Sequence, residues 1–152
     1  MTLIRRTGSL TALALLLGCS SDSVLLPKQG LTFEFAQWQC GPADGPAMAI
    51  YLTREPSNAP TPTAPFARIY IDLGTNNLLD GRELAVGDGG QAFATFYRTD
   101  GTFEPASSGA VVANYSASDQ EIVGSADLTF TDAGHLVEDF RAPVFPNSHT
   151  CP

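Results

Sequence analysis

Ala67-Arg68-Ile69-Tyr70-Ile71-Asp72-Leu73 places an apolar residue at every second position, with Arg68, Tyr70 and Asp72 between. A period of two belongs to a strand with one buried face, because successive side chains leave opposite faces of a pleated backbone. The pattern recurs on both sides of this stretch. Upstream, Leu31, Phe33 and Phe35 alternate with Thr32, Glu34 and Ala36; beyond Gln37 the apolar parity changes to Trp38 and Cys40, and a bulge or strand end near Gln37 would explain the change. Turn-forming residues 41–46 follow, then a second strand through Met48, Ile50 and Leu52. Downstream, Phe93, Thr95 and Tyr97 share one face and Ala92, Ala94 and Phe96 the other. Further strands are read over 109–115, 125–130 and 136–143, separated by turns at Thr99-Asp100-Gly101, 116–119 and Asp132-Ala133-Gly134. No window carries an amphipathic helical period. These features predict one all-β domain, a single antiparallel sandwich or small barrel of about seven or eight strands.

Two connections stand out by composition. Residues 56–65 hold four of the eleven prolines and no charge, which excludes helix and central strand and predicts an exposed, polyproline-like hairpin loop. Residues 79–84 are expected to turn through Asp80-Gly81, and residues 87–90 to make the next reversal. Asn76, Asn77, Asp80, Glu83 and Asp88 make this region rich in oxygen ligands, but their spacing fails the calcium-loop pattern. Asp72, Asp80 and Asp88 remain as calcium candidates, and no cofactor is expected.

The N-terminus has a different character. Arg5 and Arg6 precede an uncharged apolar run from Leu10 to Leu17, followed by Gly18-Cys19 and then Ser20-Ser21-Asp22-Ser23. This is the layout of a cleaved export signal, too short to span a bilayer. Leu16-Leu17-Gly18-Cys19 resembles the lipobox of bacterial lipoprotein signal peptides. That resemblance implies a diacylglycerol on the Cys19 thiol and cleavage before Cys19. It also implies a membrane attachment that two or three acyl chains would make durable. Ser20 resembles the sorting pattern of outer-membrane lipoproteins. The expected organisation is a signal peptide at 1–18, a lipidated tether at 19–30 and the β domain at 31–152.

Removing residues 1–18 leaves 134 residues, enough for one core, and moves the net charge from −8 to −10. Acidity of this size argues against nucleic acid and against anionic lipid surfaces, and it favours a monomer. With Cys19 lipidated, Cys40 and Cys151 are left as an even pair in an oxidising compartment, and a disulfide is expected. Closing a loop of about 110 residues would stabilise the fold by roughly 4 to 5 kcal/mol on the chain-entropy model. His135 and His149 have no second metal ligand beside them in sequence and are expected on the surface.

The C-terminal half has a cadence of its own. Gly109-Ala-Val-Val, Ile122-Val-Gly124-Ser-Ala-Asp127-Leu-Thr-Phe130, the turn Asp132-Ala-Gly134, then Phe140-Arg-Ala142-Pro143 and Cys151 resemble small bacterial lipoproteins of unknown function. The chain departs from them at Asp139, where they carry Gly. The resemblance implies a β fold and the disulfide, and no catalytic residues. Neither a Gly-x-Ser-x-Gly turn nor a phosphate-binding glycine loop occurs, so no enzyme is expected. The expectation is a membrane-anchored envelope lipoprotein with a structural or binding role. The alternative is a dedicated ligand-binding module for sugar, calcium or an exported protein, using Trp38, Tyr51, Tyr70 and Tyr97; two or more of these rings side by side on one face would favour binding.

Overall fold

Alternation becomes strand along most of the chain in the computed structural model, which describes residues 30–41, 45–57, 62–74 and 79–145. The elements are β1 Phe33–Cys40, β2 Pro46–Thr53, β3 Phe66–Asp72, β4 Asp80–Val86, β5 Ala92–Tyr97, β6 Phe103–Pro105, β7 Ser108–Ser116, β8 Glu121–Phe130 and β9 Gly134–Phe145, with no helix among the described residues. Eight of them close into a barrel, and β6 is an additional strand on β5.

The barrel is built from two antiparallel halves. In the first, β1 pairs β2, β2 pairs β3 and β3 pairs β5. In the second, β4 pairs β7, β7 pairs β8 and β8 pairs β9. Two short parallel seams join the halves: Ala36 and Gln37 of β1 against Val144 and Phe145 of β9, and Val86 of β4 against Ala92 of β5. Closure leaves no long edge for another chain to extend.

One parity of every barrel strand fills the interior. Ala36, Met48, Ile50, Leu52, Ile69, Ile71, Leu84, Phe96, Val111, Ile122, Leu128, Phe130 and Phe140 belong to one buried cluster, with Trp38 and Tyr115 packed on it. Burying one such aliphatic or aromatic side chain is worth about 1.5–3 kcal/mol, so this packed interior is the main source of stability.

Two local expectations need correction. Strand β1 runs against β2 in unbroken register from Phe33↔Thr53 to Cys40↔Pro46, so no bulge sits at Gln37. The apparent change of parity arises because both faces of β1 bury apolar groups: Ala36 faces the interior, and Phe35 belongs to a second cluster outside it. Residues 80–84 are strand rather than turn; the Asp80-Gly81 signal instead marks a register shift between Asp80 and Glu83, where Gly81 takes a φ of 84°. Strand β6 had no sequence signal, being three residues long. At the described ends of the proline-rich loop Pro56 and Thr63 are exposed, as expected, while Pro62 is buried.

Candidate functional site

The outer face of the first half is aromatic, and the patch continues onto β6 on one side and onto the end of β9 on the other. Phe145, Phe35, Tyr51, Phe66, Tyr97 and Phe103 form a continuous row of ring contacts that crosses the strands. Centroids lie 5.9 Å apart for Phe35 and Phe145, 4.7 Å for Phe35 and Tyr51, 6.1 Å for Tyr51 and Phe66, 4.4 Å for Phe66 and Tyr97, and 6.1 Å for Tyr97 and Phe103. The register explains the row: Phe35 lies opposite Tyr51, Phe66 opposite Tyr97, and Tyr97 opposite Phe103. Gln39 Nε2 donates to the Tyr51 hydroxyl at 3.0 Å. Tyr70 and Phe93 form the next cross-strand pair, and Phe33 stands two residues before Phe35. Nine of the chain's fourteen aromatic residues therefore sit on one outer wall. Phe33, Phe93 and Phe103 are 41%, 50% and 68% exposed, so the wall is not closed over.

Within this wall lies a groove of about 220 Å³, lined by Tyr51, Phe66, Arg68, Tyr97, Thr102 and the loop residue Pro62. Arg68 belongs to the outward parity of β3, opposite Tyr51 and Thr95. Its guanidinium carbon lies 5.9 Å from the Tyr70 ring centre and 6.0 Å from that of Tyr97, within cation–π range of both. Its Nε is buried and has no hydrogen-bond acceptor. The Tyr70 hydroxyl donates to the Cys40 carbonyl at 3.4 Å. Desolvation pushes the Tyr70 phenol above its ordinary 10.0, and the nearby Asp72 adds to this while Arg68 opposes it.

At the edge of the groove Arg98 pairs with Glu104, one of two buried polar or charged side chains in the described residues. Glu104 also accepts from the backbone N–H of Asp132 at 2.6 Å and of Ala133 at 3.0 Å, tying β6 to the β8–β9 turn. Asp100 accepts from Thr102 N and Oγ1 at 2.9 and 2.6 Å, which holds the β5–β6 turn expected at 99–101.

The groove gathers Tyr51 and Tyr97 from the sequence candidates, with Tyr70 beside it; Trp38 instead packs edge-on against Tyr115 at 5.4 Å on the interior side. The calcium candidates do not converge. Asp80 opens β4 and Asp88 lies past its far end, separated by roughly 20 Å of extended chain. The Asp80 carboxylate is occupied by Arg82, with contacts of 2.9 to 3.2 Å, which lowers its pKa, while Asp72 Oδ1 accepts from Gly74 N at 3.1 Å. Among the described residues no three His, Cys, Asp or Glu side chains form a metal-binding group. His135 is on the second half, 2.5 Å from Asp127. Cys19, His149 and Cys151 lie outside the described residues, and Cys40 closes β1.

Arg68, Phe35, Phe66 and Phe145 were not singled out from sequence. A signal for their wall was present: β2 reads Pro-Ala-Met-Ala-Ile-Tyr-Leu-Thr, uncharged in both parities, as a strand buried on both faces must be. No protein-family model, curated protein or solved structure matches this chain.

Proposed function

We propose that this chain is a lipid-anchored bacterial envelope protein whose barrel binds rather than catalyses, with the aromatic wall as its binding face. The observation that carries the reading is that wall, on which Phe33, Phe93 and Phe103 remain exposed beside a cluster of buried rings. Exposed apolar surface is costly on a soluble domain and marks interaction sites. The anchor rests on Leu16-Leu17-Gly18-Cys19, and an outer-membrane destination on Ser20. A purely structural role in the envelope is the second reading; the wall favours binding over it.

The Cys40 to Cys151 disulfide belongs to the same proposal. It is supported by the even pair of cysteines left once Cys19 carries lipid. Mass measurement of the non-reduced mature protein should find it two hydrogens lighter than the dithiol, and alkylation of both cysteines would overturn the pairing.

The test of the main reading uses two changes. Cys19→Ser should leave uncut precursor and move the protein from detergent to aqueous phase. Phe93→Ser with Phe103→Ser, in the otherwise native lipidated protein, should abolish capture of an envelope component that the parent retains. Equal capture by both proteins would reject the wall as the binding face.

A further inference from the structure

We infer that the groove between Tyr51, Phe66 and Tyr97 binds a small monocarboxylate with a flat apolar body, anchored by Arg68. This rests on the binding role proposed for the wall and names the ligand class of one site on it.

Arg68 is anomalous for this composition. Acidic residues outnumber basic ones 16 to 8, and Arg82, Arg98 and Arg141 each hold a carboxylate, from Asp80, Glu104 and Glu121. Arg68 has no carboxylate or carbonyl partner among the described residues, and its Nε is sealed from water without an acceptor. Two tyrosine rings hold its position. A planar guanidinium fixed in this way presents a fork that matches a carboxylate in bidentate geometry.

The rest of the lining selects the body of the ligand. Tyr51, Phe66, Tyr97 and Pro62 supply apolar surface, while Thr102 and Gly101 stand at the exposed rim. A sugar needs hydrogen-bonding groups around its whole ring; of the polar side chains in this lining the Tyr51 hydroxyl already accepts from Gln39 and Arg98 is held by Glu104, which leaves Arg68, Thr102 and the Tyr97 hydroxyl. The Arg98 charge is neutralised by Glu104, so the groove presents one uncompensated positive charge and suits a monoanion better than a phosphate. At about 220 Å³ it holds one ring and one carboxylate, below the size of sites for drug-sized ligands.

Benzoate is the probe. Full-length lipidated protein in a non-ionic detergent would be titrated at constant ionic strength with benzoate, acetate, benzyl alcohol and inorganic phosphate, following melting temperature and tyrosine fluorescence. Benzoate should raise the melting temperature in a saturable way, as a ligand that binds only the folded state must. Acetate, benzyl alcohol and phosphate should not do so at equal concentration. Arg68→Gln should weaken benzoate at least tenfold, whereas Arg141→Gln on the other half should leave it unchanged. A phosphate response equal to that of benzoate, or unaltered benzoate binding by Arg68→Gln, overturns the assignment. Should Arg68→Gln not fold, Thr102→Phe fills the groove from its exposed rim; lost binding supports the site and retained binding overturns it. Phe93 and Phe103 do not line the groove. Wall-dependent capture without benzoate binding therefore sinks this inference alone, and capture that survives Phe93→Ser with Phe103→Ser sinks the broader reading.

Discussion

Strands β1, β2, β3 and β5 turn rings to the outside of the barrel, whereas the outward positions of β8 and β9 carry Asp127, Thr129, His135, Asp139 and Arg141 among isolated valines such as Val123 and Val137, with a ring only at Phe145 at the seam with β1. Both halves fill the same interior with the same alternation, so the interior does not explain the difference. On the second half, outward charges are answered across strands, as with Arg141 and Glu121 at 2.5 Å or His135 and Asp127 at 2.5 Å. On the first half, stacked rings occupy the equivalent positions, and Arg68 among them has no carboxylate partner among the described residues. A wall that only needed to be soluble would resemble the second half. The first half bears an apolar surface that folding alone does not require.

The largest expected effect lies in the backbone of the second half. A Cβ on Gly124 would stand 1.9 Å from the Val112 carbonyl oxygen and 2.7 Å from the Phe140 ring, so β7, β8 and β9 meet at a point with no room for a side chain. Gly124→Ala should cost about 3 kcal/mol or more, since neither a carbonyl in the ladder nor a buried ring can withdraw cheaply. Urea denaturation measures this, and a cost under about 1 kcal/mol would mean that the close approach relaxes freely.

The two outer walls can be compared directly by truncation. Phe35 is 2% exposed on the aromatic wall, and Val137 is 57% exposed on the other. Phe35→Ala should cost about 3 to 4 kcal/mol, as for a core phenylalanine. Val137→Ser should stay within about 0.5 kcal/mol, as for an ordinary surface position. Similar values for the two would erase the distinction between the walls.

The smallest effect tests the seam where the halves meet. Glu34 on β1 shares the inward parity of Ala36, and partial burial together with repulsion from Glu138 on β9 raises its pKa above the ordinary 4.5. A raised carboxyl pKa means that the folded state holds the proton more tightly. Stability from this group is therefore present below about pH 4.5 and is lost as pH rises through the higher folded value. Glu34→Gln should be neutral at pH 4 and stabilise at pH 7 by a few tenths of a kcal/mol, since solvent screens so accessible a group. A destabilised Glu34→Gln at pH 7 would refute the repulsion across the seam.

Much of this architecture was legible in the chain. Period-two patterning located β2, β3, β5, β7, β8 and β9, because a half-buried strand must alternate. It misjudged residues 79–84, where Asp80-Gly81 resembles turn chemistry but sits in a strand that tolerates a bulge. It also invoked a bulge at Gln37, because one-face alternation cannot represent a strand buried on both sides. Of the groove, Tyr51 and Tyr97 were visible as aromatics, but Arg68 looked like any solvated charge in a strand.

By itself the chain determined an all-β fold and its acidity, since each depends on local spacing or composition; the tetrad Leu16 to Cys19 supplied only a resemblance to a lipobox. The tertiary structure alone decided that the sheet closes as a barrel through two parallel seams. It also decided that rings separated by up to 110 residues, Phe35 to Phe145, meet in one row, and that Arg68 has no carboxylate partner among the described residues. The physical reason is that closure and cross-strand neighbours depend on register between distant segments, which is set by the total packing of the interior and by no short stretch of residues.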